Sequence, residues 1–311
     1  MSRKEKPNIP FRERVHYGFR EARKNYDCYI AIAPFLLIFF LFTILPVLIS
    51  IFYSFTYFNI IEPPRFIGIK NYVDLLVNDE IFMTSVKNTI IIALITGPGG
   101  YMISLLLAWF INELAPLSRA IIITIFYAPS IGGSAYLIWN LLFSSDAYGY
   151  INSVLMKFAL IQQPIAFLQN TDYMMTILII VMLWMSMGTG FLAFVAGLQT
   201  IDKTMYEAGY VEGITNRWQE LWFITLPAMK PQLMFGAVMS ITGAFGAGTV
   251  GDALFGFPST SYATHTIMNH LNDYGSIRYE MGYACAIATI LFTVCVCANK
   301  LMQRILSKVG T

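Results

Sequence analysis

Long runs without a charge alternate with short polar connectors along the chain. Six stretches contain no Asp, Glu, Lys or Arg: Tyr29 to Ser54, Asn88 to Phe110, Ala120 to Phe143, Met174 to Gly197, Leu233 to Val250 and Met281 to Asn299. A hydrocarbon core about 30 Å thick is crossed by about 20 apolar helical residues. In lipid, a helix satisfies its own backbone polar groups. The pattern therefore predicts an all-α polytopic membrane protein with six transmembrane helices. The fifth stretch is the shortest and the richest in glycine. The first follows a basic lead-in but runs past two prolines, and no A-x-A-like cleavage site follows its apolar run, so it reads as a retained anchor and not as a signal peptide.

The basic residues give the spans a direction. With the N-terminus inside, the inner side holds the eight Lys and Arg of residues 1–24, then Arg119, then Lys203, Arg217 and Lys230, then Lys300, Arg304 and Lys308. Fifteen basic residues are thus inside, and five (Arg65, Lys70, Lys87, Lys157 and Arg278) are outside. Acidic residues divide evenly, as expected when Lys and Arg alone set orientation. Both termini are expected in the cytoplasm. The basic tail reads as a contact for anionic membrane lipid and not for nucleic acid, because a membrane span follows it directly. Composition agrees: 57% of the 311 residues are hydrophobic and 12% charged, against about 25% charged in soluble domains.

The expected organisation is a basic tail over 1–28, a transmembrane domain over 29–303 and a short C-terminal tail over 304–311. Outer loops fall at Thr56 to Lys87, Ser144 to Tyr173 and Gly251 to Glu280, and a tight inner turn with Pro116 joins Asn112 to Arg119. The long inner loop, about 199–230, carries the most information. Asp202 can cap a helix from Lys203 to Glu212 that Gly213 stops. Asn216 can cap a second helix containing Trp218, Leu221 and Trp222, which Pro227 ends. The first helix is too short to persist alone in water and needs a partner surface. Ala208 and Gly209 would let another backbone approach, and Glu207 and Glu212 could meet donors there. On the residues alone that partner is either a second protein or the chain's own bundle.

The same loop carries a resemblance. Glu207-Ala208-Gly209, then Gly213, then Ile224-Thr225-Leu226-Pro227 resembles the EAA motif of permeases of binding-protein-dependent ABC importers. That pattern is E-A-A, three residues, G, nine residues, I, one residue, L-P. Here Gly209 replaces the second alanine, and ten residues instead of nine separate Gly213 from Ile224. The extra residue is expected between the two short helices, where it shifts their relative angle. The similarity extends over about 84–303. Ala33-Pro34-Phe35, Leu45-Pro46, the stretch Phe66 to Tyr72 and Trp218 to Trp222 look like sugar permeases of the maltose-transporter type.

The resemblance implies a multi-pass protein of the bacterial plasma membrane that pairs with a second permease to form the pathway for a sugar or oligosaccharide. An extracytoplasmic solute-binding protein would deliver the sugar. A cytoplasmic ABC ATPase dimer, which binds ATP and Mg, would drive import. Glu207, Ala208, Gly209, Gly213, Leu226 and Pro227 would form the ATPase-coupling loop. The chain itself would be no enzyme and hold no cofactor.

Other signals are weaker. Gly246, Gly248 and Gly251 match G-x-G-x-x-G, but at the end of a membrane span and not after a strand. Ser240, Ala244 and Gly248 recur every four residues, a spacing for close helix packing. Gly97-Pro98-Gly99-Gly100 is expected to break or kink the second span. No G-x-x-x-x-G-K-S/T occurs, so this chain is not an ATPase of that type. His265 and His270 stand five apart in an outer loop with nothing to complete a metal site, and no metal is expected. The four cysteines read as small apolar packers. A sugar site needs polar groups beside an aromatic face. Trp139 with Asn140, and Trp184 with Ser186 and Thr189, are the pathway candidates, against a packing or interfacial role for both tryptophans. A stand-alone carrier or channel is the competing class. It usually places an ionisable residue inside a span, and none is present. A scaffold or receptor without transport is a third reading, in which the inner loop touches no ATPase.

Overall fold

A computed structural model describes residues 25–132 and 135–307. Most of the expected basic tail, and the end of the C-terminal tail, lie outside the described residues. Contacts divide the chain into two units, Met1–Phe52 and Tyr53–Thr311.

The first unit is built on helix α1, Tyr26–Tyr53, which contains Pro34 and Pro46. A π turn at Phe40–Ile44 precedes Pro46 by two residues. A second π turn, Leu221–Thr225, precedes Pro227 by the same distance. Proline gives no N–H and crowds the carbonyl four residues back. A locally widened turn relieves that crowding without ending the helix.

The second unit begins with a small hairpin, β1 (Thr56–Tyr57) against β2 (Arg65–Phe66). Helix α2, Lys70–Val73, leads to Asp79, whose carboxylate caps α3 (Glu80–Asn112) by accepting from the N–H of Phe82 at 2.8 Å. Then follow α4 (Pro116–Ile131), α5 (Leu137–Leu142), α6 (Tyr150–Lys157), α7 (Thr171–Met185) and α8 (Thr189–Gln199). The long loop carries α9 (Lys203–Val211) and α10, which runs from Arg217–Glu220 through the second π turn to Leu226–Ala228. Helices α11 (Lys230–Phe245), α12 (Ala247–Phe255), α13 (Ile267–Asn272) and α14 (Met281–Ser307) complete the fold.

Helices α3, α8 and α11 pack mutually at the centre, α14 covers α11, and α7 lies on α3. One apolar core, with Tyr101, Phe191, Phe194, Leu198 and Met229, fills the end near the long loop. Another, with Ile92, Leu178, Val181 and Leu254, fills the opposite half.

Five helices are long and apolar enough to cross a membrane: Tyr26–Tyr53, Glu80–Asn112, Thr171–Gln199, Lys230–Phe255 and Met281–Leu306. The third expected span, Ala120 to Phe143, is realised in two pieces. Pro116–Ile131 has 16 residues and ends at Gly132, and its length of about 24 Å falls short of the hydrocarbon thickness.

The expected break at Gly97-Pro98-Gly99-Gly100 does not occur: α3 continues through it with Pro98 inside the helix. The glycines serve close approach instead, because a Cβ on Gly100 would lie 2.7 Å from Cβ of Ser186. The interruptions fall elsewhere. The fourth expected span breaks between Met185 and Thr189, and the fifth breaks at Gly246.

Candidate coupling loop and translocation cavity

The long loop folds as its caps foretell. The Asp202 carboxylate accepts from the N–H of Thr204 at 3.0 Å, and the Asn216 side chain accepts from the N–H of Trp218 at 3.1 Å. Gly213 ends the first helix in the left-handed region, at φ +95°. Helix α10 passes through Pro227 and stops one residue later, so the expected terminator lies inside the final turn.

The two helices are cross-braced. Tyr210 Oη donates to Glu220 Oε1 at 2.6 Å, and Arg217 donates to Glu220 Oε2 at 2.9 Å. Arg217 also reaches Glu113, just past the end of α3, at 3.4 Å. Tyr206 and Thr225 share a hydrogen bond at 3.0 Å, and Trp218 packs on Trp109 with ring centroids 5.2 Å apart. Glu220 is only 4% exposed. Burial alone would raise its pKa, but the hydrogen bonds from Tyr210 and Arg217 hold it below the usual carboxylate range.

The predicted coupling residues divide by face. Glu207, Ala208 and Gly213 are exposed, and Val211 beside them is 89% exposed. Leu226 is buried in the core at the loop end, and Pro227 is half-buried. Gly209 corrects the expectation of an approach by a foreign backbone. It is buried against its own chain, where a Cβ would stand 2.6 Å from Cδ1 of Ile224 and 3.2 Å from Cδ1 of Ile214. The loop thus keeps one face on its bundle and offers the other. Behind it, a cleft of about 660 Å³ opens among Asn112, Glu113, Arg119, Lys203, Tyr206 and Arg217.

The two helix breaks meet in the middle of the bundle. Ser186, Gly188 and Thr189 from one, and Gly243 and Gly246 from the other, line a cavity of about 390 Å³ together with Ser240. Broken helices expose backbone groups that an α-helix would use up, and a polar ligand can be bound there. Of the five pathway candidates, Ser186 and Thr189 face this cavity. Trp139 and Trp184 pack edge-on against each other, centroids 5.5 Å apart, beside the second core. Asn140 donates to the carbonyl of Ala253 at 3.1 Å. Thr96, Ser240 and Thr242 also line the cavity. Sequence reasoning gave Ser240 only a packing role, and the cluster of glycines in the fifth stretch was the available signal for a break.

At the opposite end, His265 and His270 lie in the connection between α12 and α14, and both are buried there. His270 Nε2 lies 2.9 Å from Asp79 Oδ2, which also accepts from Tyr283 Oη at 2.9 Å. Burial pushes the His265 pKa down to about 4 and lowers that of His270 despite Asp79. Among the described residues no group of three metal-ligating side chains occurs.

Comparison with known proteins places this geometry. The profile of the binding-protein-dependent transport system inner membrane component matches residues 100–309. The probable ABC transporter permease protein YesP of Bacillus subtilis (strain 168) is 33% identical over 287 residues, covering 88% of this chain and 89% of the relative. The arabinooligosaccharides transport system permease protein AraP of the same organism is 31% identical over 276 residues, covering 86% and 84%. A chain from the crystal structure of a bacterial alginate ABC transporter, in complex with alginate pentasaccharide-bound periplasmic protein, matches with a TM-score of 0.73 at 23% identity. That match covers 94% of this chain and 99% of the other, so the two share a fold. The chain belongs to the family of binding-protein-dependent transport system inner membrane components, multi-pass transport subunits of the plasma membrane and not enzymes.

Proposed function

We propose that this permease forms, with a second permease, the import pathway for a sugar or oligosaccharide. The observation that carries the reading is the two-faced coupling loop. Its nine-residue helix α9 is seated on Ile224 through Gly209 and leaves Glu207, Ala208 and Val211 open. A helix this short is not stable without packing, and an apolar exposed side chain beside a carboxylate suits a protein groove. That partner is a cytoplasmic ATPase dimer, which supplies ATP and Mg. An extracytoplasmic binding protein brings the substrate to the other end. The sugar class follows the names of the relatives, which include an arabinooligosaccharide permease. Glu207, Ala208 and Gly213 act at the ATPase contact, while Gly209, Leu226 and Pro227 hold the loop on the bundle. Ser186 and Thr189 face the sugar. Rigid-body movement of the bundle, driven through the loop, opens the cavity to each side in turn.

The test is copurification in mild detergent of the wild-type chain and a Glu207→Lys variant, together with uptake of radiolabelled arabinotriose by cells. The expected result is an ATPase bound to wild type and lost from the folded variant, with uptake lost in parallel. An ATPase held equally by both removes the coupling role of Glu207.

A further inference from the structure

We propose a second sugar-binding site at the outer end of the bundle, apart from the cavity at the helix breaks and formed between the hairpin segment and the start of α14. The inference rests on the sugar-import reading above. A pocket of about 390 Å³ lies there, within the range of about 300–1,000 Å³ typical of small-ligand sites. Its walls combine the aromatic rings of Tyr57, Tyr274 and Tyr283 with the charged groups of Lys70, Asp74 and Glu280. A sugar ring presents an apolar C–H face, which suits an aromatic surface, and a rim of hydroxyls, which suits carboxylate and ammonium groups.

The polar groups are available. Lys70 and Glu280 enter none of the ion pairs among the described residues, and Asp74 accepts only a local bond from Asn78 at 3.0 Å. Arg278 also lines the pocket but is engaged with Asp273 at 2.6 Å and lies 4.4 Å over the ring of Tyr274. With Arg278 neutralised by Asp273, the one ammonium of Lys70 faces the two carboxylates of Asp74 and Glu280, a lining that disfavours an acidic sugar and suits a neutral one.

The walls are also fixed in advance. Tyr283 is tied to Asp79, and Tyr274 packs on Tyr283 with centroids 4.4 Å apart. The Asn71 side chain donates to the carbonyls of Ser54 and Thr56, holding the strand that carries Tyr57. A backbone bond from Gly282 to the carbonyl of Phe58, at 2.9 Å, joins the two walls. Tyr274 and Tyr283, spent on each other, give a rigid wall, and the exposed ring of Tyr57 is the face open to a sugar; a wall fixed in advance lowers the ordering cost of binding. The site would hold one end of an oligosaccharide apart from the cavity at the helix breaks, with which it shares no lining residue.

Saturation-transfer NMR tests this on the intact transporter in nanodiscs, without binding protein, with arabinotriose, maltotriose and raffinose as probes. Transport of the same sugars is measured in proteoliposomes with binding protein. At least one probe is expected to receive saturation from wild type. Tyr57→Ala and Glu280→Gln should each weaken that signal about tenfold, with unchanged melting. Ser240→Leu, which fills the inner cavity, should abolish transport but keep the signal. Absence of signal from every probe overturns the proposal, as does a signal lost in Ser240→Leu and kept in both pocket variants. Pocket variants that keep the sugar signal but release the binding protein would reassign the pocket to protein docking. If wild type transports none of the probes, the sugar-import reading fails for them while the NMR result still decides the site.

Discussion

Gly209 stands where the EAA pattern has alanine, and the structure gives a reason that can be measured. Replacing Gly209 with alanine gains about 1 kcal/mol of helix propensity in α9. The new methyl, however, would stand 2.6 Å from Cδ1 of Ile224, with Cδ1 of Ile214 at 3.2 Å closing a second side. Overpacking of this kind costs about 1–3 kcal/mol. Because the obstructing atom ends an isoleucine side chain, which can rotate, the cost falls near about 2 kcal/mol. Gly209→Ala should therefore destabilise the loop by about 1 kcal/mol, the steric term outweighing propensity. Ile224→Val removes the offending Cδ1 and costs about 1 kcal/mol alone. Together the two changes should cost less than their sum by about 1.5 kcal/mol, a coupling above the additivity error of about 0.5 kcal/mol. Hydrogen exchange of the amides of residues 203–228 reads the loop's opening free energy directly. If Gly209→Ala slows exchange, or if the double variant is additive, the packing explanation is wrong.

Two further outcomes follow from buried ionisable groups. His265 has its native pKa pushed from 6.5 to about 4, so the folded state resists protonation that the unfolded chain accepts. Its contribution is complete above pH 6.5 and is lost as pH falls toward 4, about 2 kcal/mol being gone by about pH 5. His270 is shifted the same way, by burial against the opposing charges of Asp79 and Asp273. The Asp79 pKa lies below 3.8, so its own contribution survives through this window. Melting of the purified protein should thus drop between about pH 7 and about pH 5, and His265→Phe should shrink the drop; an unchanged drop refutes the assignment. Glu220→Gln keeps the shape but loses the charge that Tyr210 and Arg217 recognise. Amides of α9 and α10 should then exchange about fivefold faster, a modest factor because Arg217 is largely exposed. Unchanged protection would remove the brace from the account.

Local signals were legible. Asp202, Asn216 and Gly213 mark the loop helices from sequence alone because capping is decided within a few residues. Charge-free length likewise locates five of the spans. What escaped depends on neighbours distant in sequence. The second span's glycines and proline look like a break, yet α3 continues through them, packed on α7 and α8, where Gly100 meets Ser186. The true breaks follow Met185 and Phe245, where no proline marks them. Trp139 and Trp184 resemble a sugar platform in composition, but each ring is spent on the other. Gly209 reads as an open landing for a partner until Ile224, fifteen residues on, is seen above it.

The long-range side-chain bonds at the far end of α3 run to the last third of the chain. The Asn88 side chain donates to the carbonyls of Tyr262 and His265, Thr89 Oγ1 accepts from the N–H of Ile267, and Asp79 meets His270, 191 residues away. During synthesis α3 leaves the ribosome long before these partners exist. Its polar groups must wait in the membrane or at its surface for a late-arriving segment, so assembly is gated by the C-terminal third. A chain cut short before residue 262 would display Asp79, Asn88 and Thr89 without their mates, a mark by which membrane proteases could tell an unfinished copy from a finished one.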